Sequence, residues 1–200
     1  MKKIFKFTMA LLLTLCLAGC GGSKDNNKTD DNKLLSGNHH AVIDVKDYGI
    51  IKLELNADVA PISVTNFVNL AKDGFYDGLT FHRIMENFMI QGGDPLGNGT
   101  GGSDKNIKGE FRDNNVENNL SHTRGAISMA RSQDNDSASS QFFIVHKDST
   151  FLDGQYAAFG YVYEGIEVVD KIATGVTPVD GNGTIEAADQ PVITSIKIID

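Results

Sequence analysis

The stretch of sequence that is most informative about the fold runs from residue 81 to residue 94 and reads FHRIMENFMIQGGD. Its pattern predicts two short strands around a turn. Because side chains alternate between the two faces of a strand, Arg83 shares a face with Phe81 and Met85, and Gln91 shares one with Met89. If the strands pair as a hairpin, a fixed positive charge, an amide and apolar walls converge on one patch. The patch has neither a nucleophile nor a set of metal ligands, which favours a site that holds a substrate and stabilises a conformation over one that breaks a bond.

The rest of the chain combines short strand patterns with two helical ones. Pro61 occupies a favoured first-turn position of a helix that ends near Gly74, and residues 165–173 predict a second helix. Many short strands with two isolated helices indicate a mainly β protein, built as a closed or nearly closed antiparallel barrel whose ends the helices cover. Apart from the hairpin, the predicted strands are residues 42–45, 50–55, 125–130, 141–146, 157–163 and 192–199.

Residues 1–19 are typical of a lipoprotein signal peptide. Lysines open the segment, and residues 9–17 form an apolar run that is too short for an ordinary membrane span. The Leu-Ala-Gly-Cys sequence at residues 17–20 resembles the lipobox of bacterial lipoproteins. The resemblance implies cleavage before Cys20 and acylation of this cysteine, with palmitate among the acyl chains. An ordinary secretory peptide with a chance cysteine is the alternative.

Residues 20–38 comprise Cys20 and a segment rich in Gly, Ser, Asp, Asn and Lys, which predicts a flexible tether. Residues 39–200 are enough for one domain with a hydrophobic core. The other cysteine, Cys16, lies in the apolar run, so the predicted domain contains neither a disulfide nor a free thiol. We therefore expect a lipid-anchored protein on the extracytoplasmic face of the cell membrane.

The charge balance excludes some classes of partner. The chain carries 18 basic and 26 acidic residues, a formal net charge of −8. This balance argues against binding to nucleic acid and against electrostatic docking on anionic lipid. We therefore expect attachment to the membrane through the lipid on Cys20.

Further motifs downstream of the hairpin point to a known family. Ser128-Met129-Ala130 and Ser140-Gln141-Phe142-Phe143-Ile144 follow it, and Phe151-Leu152-Asp153-Gly154 comes next. Together with residues 81–94, these motifs make the chain resemble the cyclophilins, which are peptidyl-prolyl cis-trans isomerases, from about residue 42 to residue 199. The resemblance implies a closed eight-stranded antiparallel β-barrel capped by two α-helices, with no cofactor and no metal. We expect a monomer that accelerates isomerisation of X-Pro bonds in proline-containing exported polypeptides and assists their folding at the cell envelope.

The resemblance also implies which side chains act on the proline. Arg83 would be the main catalytic side chain, and Gln91 would position both Arg83 and the substrate. Apolar side chains would form the pocket for the proline ring, and these are Phe88, Met89, Phe143 and Leu152.

Residues on the other side of the pocket would bind the rest of the substrate. The resemblance implies that the residues before the proline lie along Ala130, Arg131 and Gln141. At the rim of the pocket the chain departs from the best-known eukaryotic members. Phe151 stands where those members have tryptophan, and Tyr156 stands where they have histidine.

An arginine suits this reaction because no covalent chemistry is needed. Rotation about the X-Pro bond faces a barrier of about 20 kcal/mol, since amide resonance is lost in the twisted state. In that state the proline nitrogen gains a lone pair to which a guanidinium can donate, and the guanidinium keeps its proton at physiological pH. A hydrogen bond that is stronger in the twisted state than in the planar state lowers the barrier.

Other interpretations of the same residues stay open. A binding module would use the groove to hold a partner's proline loop without turnover, whereas a solute receptor of a transporter would need two larger lobes. His82 alternates away from Arg83 and is predicted to pack. Phe142 points opposite to Phe143 and is predicted to lie in the core. No sequence motif supports a Ser-His-Asp triad at His122.

Overall fold

Eight strands form one antiparallel sheet in the computed structural model, which describes residues 33–200. In chain order, helix α1 (Pro61–Lys72) follows β2 and helix α2 (Ile166–Gly175) follows β7. The order of the strands across the sheet is β3-β4-β6-β5-β7-β2-β1-β8. The structure therefore confirms a mainly β fold with eight antiparallel strands and two helices. The strands are β1 (Asn38–Val45), β2 (Gly49–Asn56), β3 (Phe81–Met85), β4 (Met89–Gly92), β5 (Ala126–Met129), β6 (Phe142–Val145), β7 (Ala158–Glu164) and β8 (Ile193–Ile198).

A tight turn joins β3 to β4, as the opening stretch predicted. Asn87 adopts the left-handed conformation with φ 63°, which asparagine tolerates better than most residues do. The backbone N–H of Phe88 donates to the carbonyl of Met85 at 3.0 Å and closes the turn. The resulting register places Arg83 opposite Gln91, but it shifts between Phe81 and Arg83. Phe81 is fully buried in the hydrophobic core, so the prediction that it shares a face with Arg83 is wrong.

The main hydrophobic core joins one face of the sheet to the buried sides of both helices. Phe67 of α1 lies at its centre, with its ring centroid 5.5 Å from that of Phe142. Phe142 is fully buried and His82 is only 3 % exposed, so the prediction that both residues pack is confirmed. Since neighbouring residues of a strand face opposite ways, a core position for Phe142 directs Phe143 to the other face of the sheet.

The sheet curls into a half-barrel whose edge strands are β3 and β8, in place of the closed barrel expected from the sequence. An isolated bridge between Thr80 and Val192 links the starts of these two strands. The ladder cannot continue past the bridge, because Pro191 has no N–H to donate and only accepts a hydrogen bond from Phe81.

The outer edge of β3 pairs with a segment that follows α2, and it does not pair with β8. The N–H of Ile84 donates to the carbonyl of Gly183 at 2.8 Å, and the N–H of Ile185 donates to the carbonyl of His82 at 3.0 Å. These bonds satisfy the edge of β3 without a second full ladder. They also hold residues 182–184 close to Arg83.

The described residues begin within the segment predicted to be a tether. The N–H of Leu35 donates to Thr65 Oγ1 at 2.8 Å, and the N–H of Gly37 donates to Asp58 Oδ1 at 2.7 Å. The end of that segment therefore contacts the domain, which forms a unit spanning Leu34–Asp200. The predicted signal peptide and Cys20 lie outside the described residues. No helix within residues 33–200 has the length and apolar character needed to cross a membrane.

Candidate active site

The candidate site lies on the face of the sheet opposite to the main core, where β3, β4 and β6 run side by side. The register places Gln91 between Arg83 and Phe143. Side chains of this face form a second apolar cluster, in which Met89 is 1 % and Phe143 is 5 % exposed. They enclose a volume of about 210 Å³, called here the apolar cavity. Its lining consists of Arg83, Phe88, Met89, Gln91, Ala130, Arg131, Phe143, Leu152 and Tyr156.

Arg83 is held in one orientation by acceptors on two sides. Its Nε donates to the carbonyl of Asn182 at 2.7 Å, and its Nη1 donates to Gln91 Oε1 at 3.2 Å. Its Nη2 lies 3.2 Å from the sulfur of Met85. A planar guanidinium bonded along two edges cannot rotate freely, so the remaining N–H groups have a fixed direction above the apolar cavity.

Gln91 belongs to a directed chain of amide hydrogen bonds. Its Nε2 donates to Gln141 Oε1 at 2.9 Å, which leaves its Oε1 to accept from Arg83. The Nε2 of Gln141 in turn donates to the carbonyl of Gly101 at 2.7 Å and to that of Gly99 at 3.2 Å. Because backbone carbonyls only accept, they determine the orientation of both glutamine amides. Gln91 is thereby set to present an acceptor to Arg83.

Aromatic rings build the walls of the apolar cavity. The ring of Phe143 meets that of Tyr156 edge to face at 6.0 Å, and the guanidinium carbon of Arg83 lies 5.9 Å from the centre of the Phe88 ring. Partial burial lowers the pKa of Arg83, an effect that the nearby Tyr156 and Asp180 oppose, and an arginine stays protonated at neutral pH. The site therefore offers a charged donor beside an apolar surface.

Two residues expected in the groove do not line the apolar cavity. Phe151 is 66 % exposed and stacks on the outer side of Phe88, with ring centroids 5.7 Å apart. Gln141 lines a neighbouring volume of about 310 Å³, called here the polar cavity. The two cavities share Gln91, Ala130 and Arg131. The other residues of the polar cavity are Gly99, Thr100, Gly101, Gly102, Ser103, Asn106, Ser132, Ser137, Ser139 and Gln141.

A buried serine, a buried histidine and a half-buried aspartate lie in line behind Phe143, although no sequence motif links them. The ring of His122 stacks on Phe143 at 5.9 Å, its Nδ1 lies 2.8 Å from Asp153 Oδ1, and its Nε2 lies 3.0 Å from Ser128 Oγ. Ser121 Oγ also donates to the other carboxylate oxygen, at 2.6 Å. A carboxylate only accepts, so Nδ1 carries the proton and Nε2 accepts from the serine hydroxyl. Ser128 and His122 are fully buried, so this trio supports the cavity wall and does not attack a substrate.

Sequence reasoning missed the acceptors that hold Arg83 and Gln141. Asn182 lies 99 residues from Arg83, and its contribution is a backbone carbonyl, for which no side-chain pattern exists. The glycine-rich loop that holds Gln141 was partly visible in the sequence as a run of glycines. Gly99 adopts φ 87°, which permits a tight turn. Within residues 33–200 no group of three or more His, Cys, Asp or Glu side chains could hold a metal ion.

Comparisons with known proteins agree on one family. A sequence model described as "Cyclophilin type peptidyl-prolyl cis-trans isomerase/CLD" matches residues 40–199. Peptidyl-prolyl cis-trans isomerase of Helicobacter pylori (strain ATCC 700392 / 26695) is 47 % identical over 129 residues, which cover 64 % of this chain and 76 % of that protein. Peptidyl-prolyl cis-trans isomerase A of Dickeya dadantii is 44 % identical over 160 residues, which cover 76 % of this chain and 80 % of that protein.

A solved structure supports the same assignment at the level of the fold. The crystal structure of a cyclophilin type peptidyl-prolyl cis-trans isomerase of Cryptosporidium parvum, in the presence of the dipeptide ala-pro, has a TM-score of 0.71 to this chain. The two chains are 31 % identical, and the match covers 80 % of this chain and 99 % of the other.

Proposed function

The chain belongs to the family of cyclophilin-type peptidyl-prolyl cis-trans isomerases and is such an isomerase, and on this premise we propose that its substrates are exported polypeptides that fold at the cell envelope. Exchange of an X-Pro bond takes tens to hundreds of seconds without catalysis, which is slow enough to limit folding.

The proposed mechanism assigns the reaction to Arg83 and the apolar cavity. The cavity takes the proline ring between Phe143 and Met89, whose near-complete burial excludes water from one side of the peptide bond. Arg83 donates to the proline nitrogen as the bond twists and the nitrogen gains its lone pair. The donor is already oriented by Gln91 and Asn182, so little reorganisation is needed when the lone pair forms on the proline nitrogen.

The observation that carries this mechanism is the guanidinium of Arg83 fixed above an apolar cavity. Exchange spectroscopy on a small X-Pro peptide tests it directly. We expect Arg83→Ala to lower kcat/KM by about 100-fold or more, which corresponds to about 3 kcal/mol. Arg112→Ala is the matched control, because Arg112 is exposed and lines neither cavity. Near-wild-type activity of Arg83→Ala, with unchanged binding of the peptide, would contradict the role of Arg83.

The proposed location depends on Cys20. A cysteine that follows small residues after a basic start and an apolar run supports lipid attachment at the extracytoplasmic face of the cell membrane. Mass spectrometry of the purified chain and fractionation of cells test this proposal. We expect Cys20→Ser to lose the lipid mass and leave the membrane fraction, and Cys16→Ser to keep both. Lipid retained by Cys20→Ser would contradict the proposal.

A further inference from the structure

Arg131 lies between the two cavities and is held in place by neutral groups. Its Nε and Nη2 donate to the carbonyl of Gln155 at 3.1 and 2.9 Å, and its Nη1 donates to the carbonyl of Ser132 at 2.9 Å. Its guanidinium carbon lies 5.1 Å from the ring centre of Phe111 and 4.7 Å from that of Tyr156. Five donors in a plane that is stacked on aromatic rings give a charge with a fixed position.

The positive charge of Arg131 is not neutralised by a carboxylate. Its hydrogen bonds go to backbone carbonyls, and it forms no ion pair with any of the residues that the structure describes. Arg124 shows the contrast, since both of its Nη atoms bind the carboxylate of Asp170 at 2.7 and 2.8 Å. Arg83 resembles Arg131 in this respect, because its acceptors are the Asn182 carbonyl, the Gln91 amide and methionine sulfur.

The linings of both cavities are positive in a chain that is acidic overall. Among the described residues, the charged side chains that line either cavity are Arg83 and Arg131. The whole chain nevertheless has 26 acidic against 18 basic residues. An acidic surface with a positive groove is a local arrangement of charge that discriminates between substrates.

Two acidic residues close to the site accept hydrogen bonds from groups of their own loops. Asp94 accepts from the N–H of Leu96 and Gly99 and is 1 % exposed. Asp180 accepts from the N–H and the hydroxyl of Thr184. Among the described residues, neither carboxylate lines a cavity or forms an ion pair with Arg83 or Arg131.

From this arrangement we propose that the groove selects prolines preceded by an acidic residue, and that Arg131 is the specificity-determining residue. A peptide whose proline enters the apolar cavity and whose preceding residues extend into the polar cavity must pass Arg131, since Arg131 lines both. A carboxylate on one of those residues supplies the charge that the protein itself does not place there. The inference rests on the isomerase activity and adds the substrate class to it.

The test is a set of blocked peptides that differ in charge only. Glutamate, glutamine or lysine is placed one, two or three residues before a single proline, and kcat/KM is measured with the full-length chain at low and high salt. At the best position we expect the glutamate peptide to exceed the isosteric glutamine peptide by about threefold to fivefold at low salt, mainly through KM. The lysine peptide should be the poorest, and 1 M salt should bring the three together.

Variants then assign the preference to one arginine. Arg131→Gln should reduce the glutamate-to-glutamine ratio to about one, and Arg131→Lys should retain part of it because the charge remains. Arg112→Gln removes the same charge outside both cavities and should leave the ratio unchanged.

Each outcome bears on a separate claim. Equal rates for the wild-type chain on glutamate and glutamine peptides, with good activity on both, would overturn the selectivity while the isomerase assignment stands. A ratio that survives in Arg131→Gln would overturn the role of Arg131. If Arg131→Gln does not fold, the salt dependence of the wild-type ratio and the ratio in Arg131→Lys still decide the claim. Absence of activity on every peptide would instead contradict the isomerase function.

Discussion

The apolar and polar cavities lie side by side and share Gln91, Ala130 and Arg131, but they are built in different ways. Strand side chains wall the apolar cavity, and their packing continues into a buried cluster that includes Met89 and Phe143. Backbone groups and hydroxyls of loops line the polar cavity. The difference indicates that the side chains around the apolar cavity also stabilise the fold. The groups around the polar cavity contribute to orientation and selection of the substrate.

The largest expected effect comes from removing a large side chain from the wall of the apolar cavity. Phe143→Ala removes a ring that contacts His122 and Tyr156, and we expect it to lower the free energy of unfolding by about 3 kcal/mol and to raise KM. Ser139→Ala, in the polar cavity, should change the free energy of unfolding by no more than about 0.5 kcal/mol. Denaturant titration of both variants measures the contrast. Equal losses of stability would break the distinction between the cavities.

A smaller effect is expected from breaking the amide chain that links the cavities. Gln141→Ala leaves the Nε2 of Gln91 without its acceptor, so Gln91 is no longer oriented toward Arg83. We expect kcat/KM to fall by about fivefold to tenfold, the value of one hydrogen bond, with little change in stability.

The control for Gln141→Ala is a substitution of another residue that lines the polar cavity. Ser103 lines it but contacts the carbonyl of Lys105 at a weak 3.5 Å. Ser103→Ala should therefore keep kcat/KM within about twofold of wild type, since it removes no strong hydrogen bond. If Gln141→Ala were as active as Ser103→Ala, the amide chain would have no part in orienting Arg83.

The smallest expected effect is a pH dependence of the free energy of unfolding, caused by titratable groups behind the apolar cavity. Burial lowers the pKa of His122, and the hydrogen bond that His122 donates to Asp153 opposes this shift only in part. Burial alone would raise the pKa of Asp153, but hydrogen bonds from Ser121 and His122 outweigh it and lower the pKa overall. Both groups therefore bind protons more readily in the unfolded state. Stability should fall as the pH drops below about 6.5 through His122, and fall again below about 4 through Asp153.

Denaturant titrations between pH 7 and pH 5 check the contribution of His122. We expect His122→Gln to lose less stability on acidification than the wild-type chain does, because its side chain cannot take up a proton. An identical pH dependence in His122→Gln and the wild type would show that His122 does not titrate with folding.

The sequence was sufficient to predict features that depend on local periodicity. Alternation along one strand placed Phe142 in the core and Phe143 on the opposite face, and it separated His82 from Arg83. The turn at Asn87 also follows from local preference. These features depend on neighbours in the chain, so a single sequence carries the information.

Features that depend on which distant segments meet could not be predicted. The half-barrel arises because residues 183–185 bind the edge of β3 and because Pro191 ends the ladder between β3 and β8. The proline is visible in the sequence, but nothing local shows that it lies beside β3. The hydrogen bond between His122 and Asp153 joins residues 31 positions apart, and both residue types are common in loops. Such contacts are determined by tertiary packing.

The central claim is that the fixed fork of the Arg83 guanidinium, and not its charge alone, stabilises the twisted peptide bond. Arg83→Lys keeps the charge but cannot donate at once to Asn182, Gln91 and a proline nitrogen. The most direct test is kcat/KM of Arg83→Lys for one X-Pro peptide, measured beside Arg83→Ala. We predict a loss of about 100-fold, close to that of Arg83→Ala. Activity of Arg83→Lys within about threefold of the wild type would contradict the claim, since charge alone would then be sufficient.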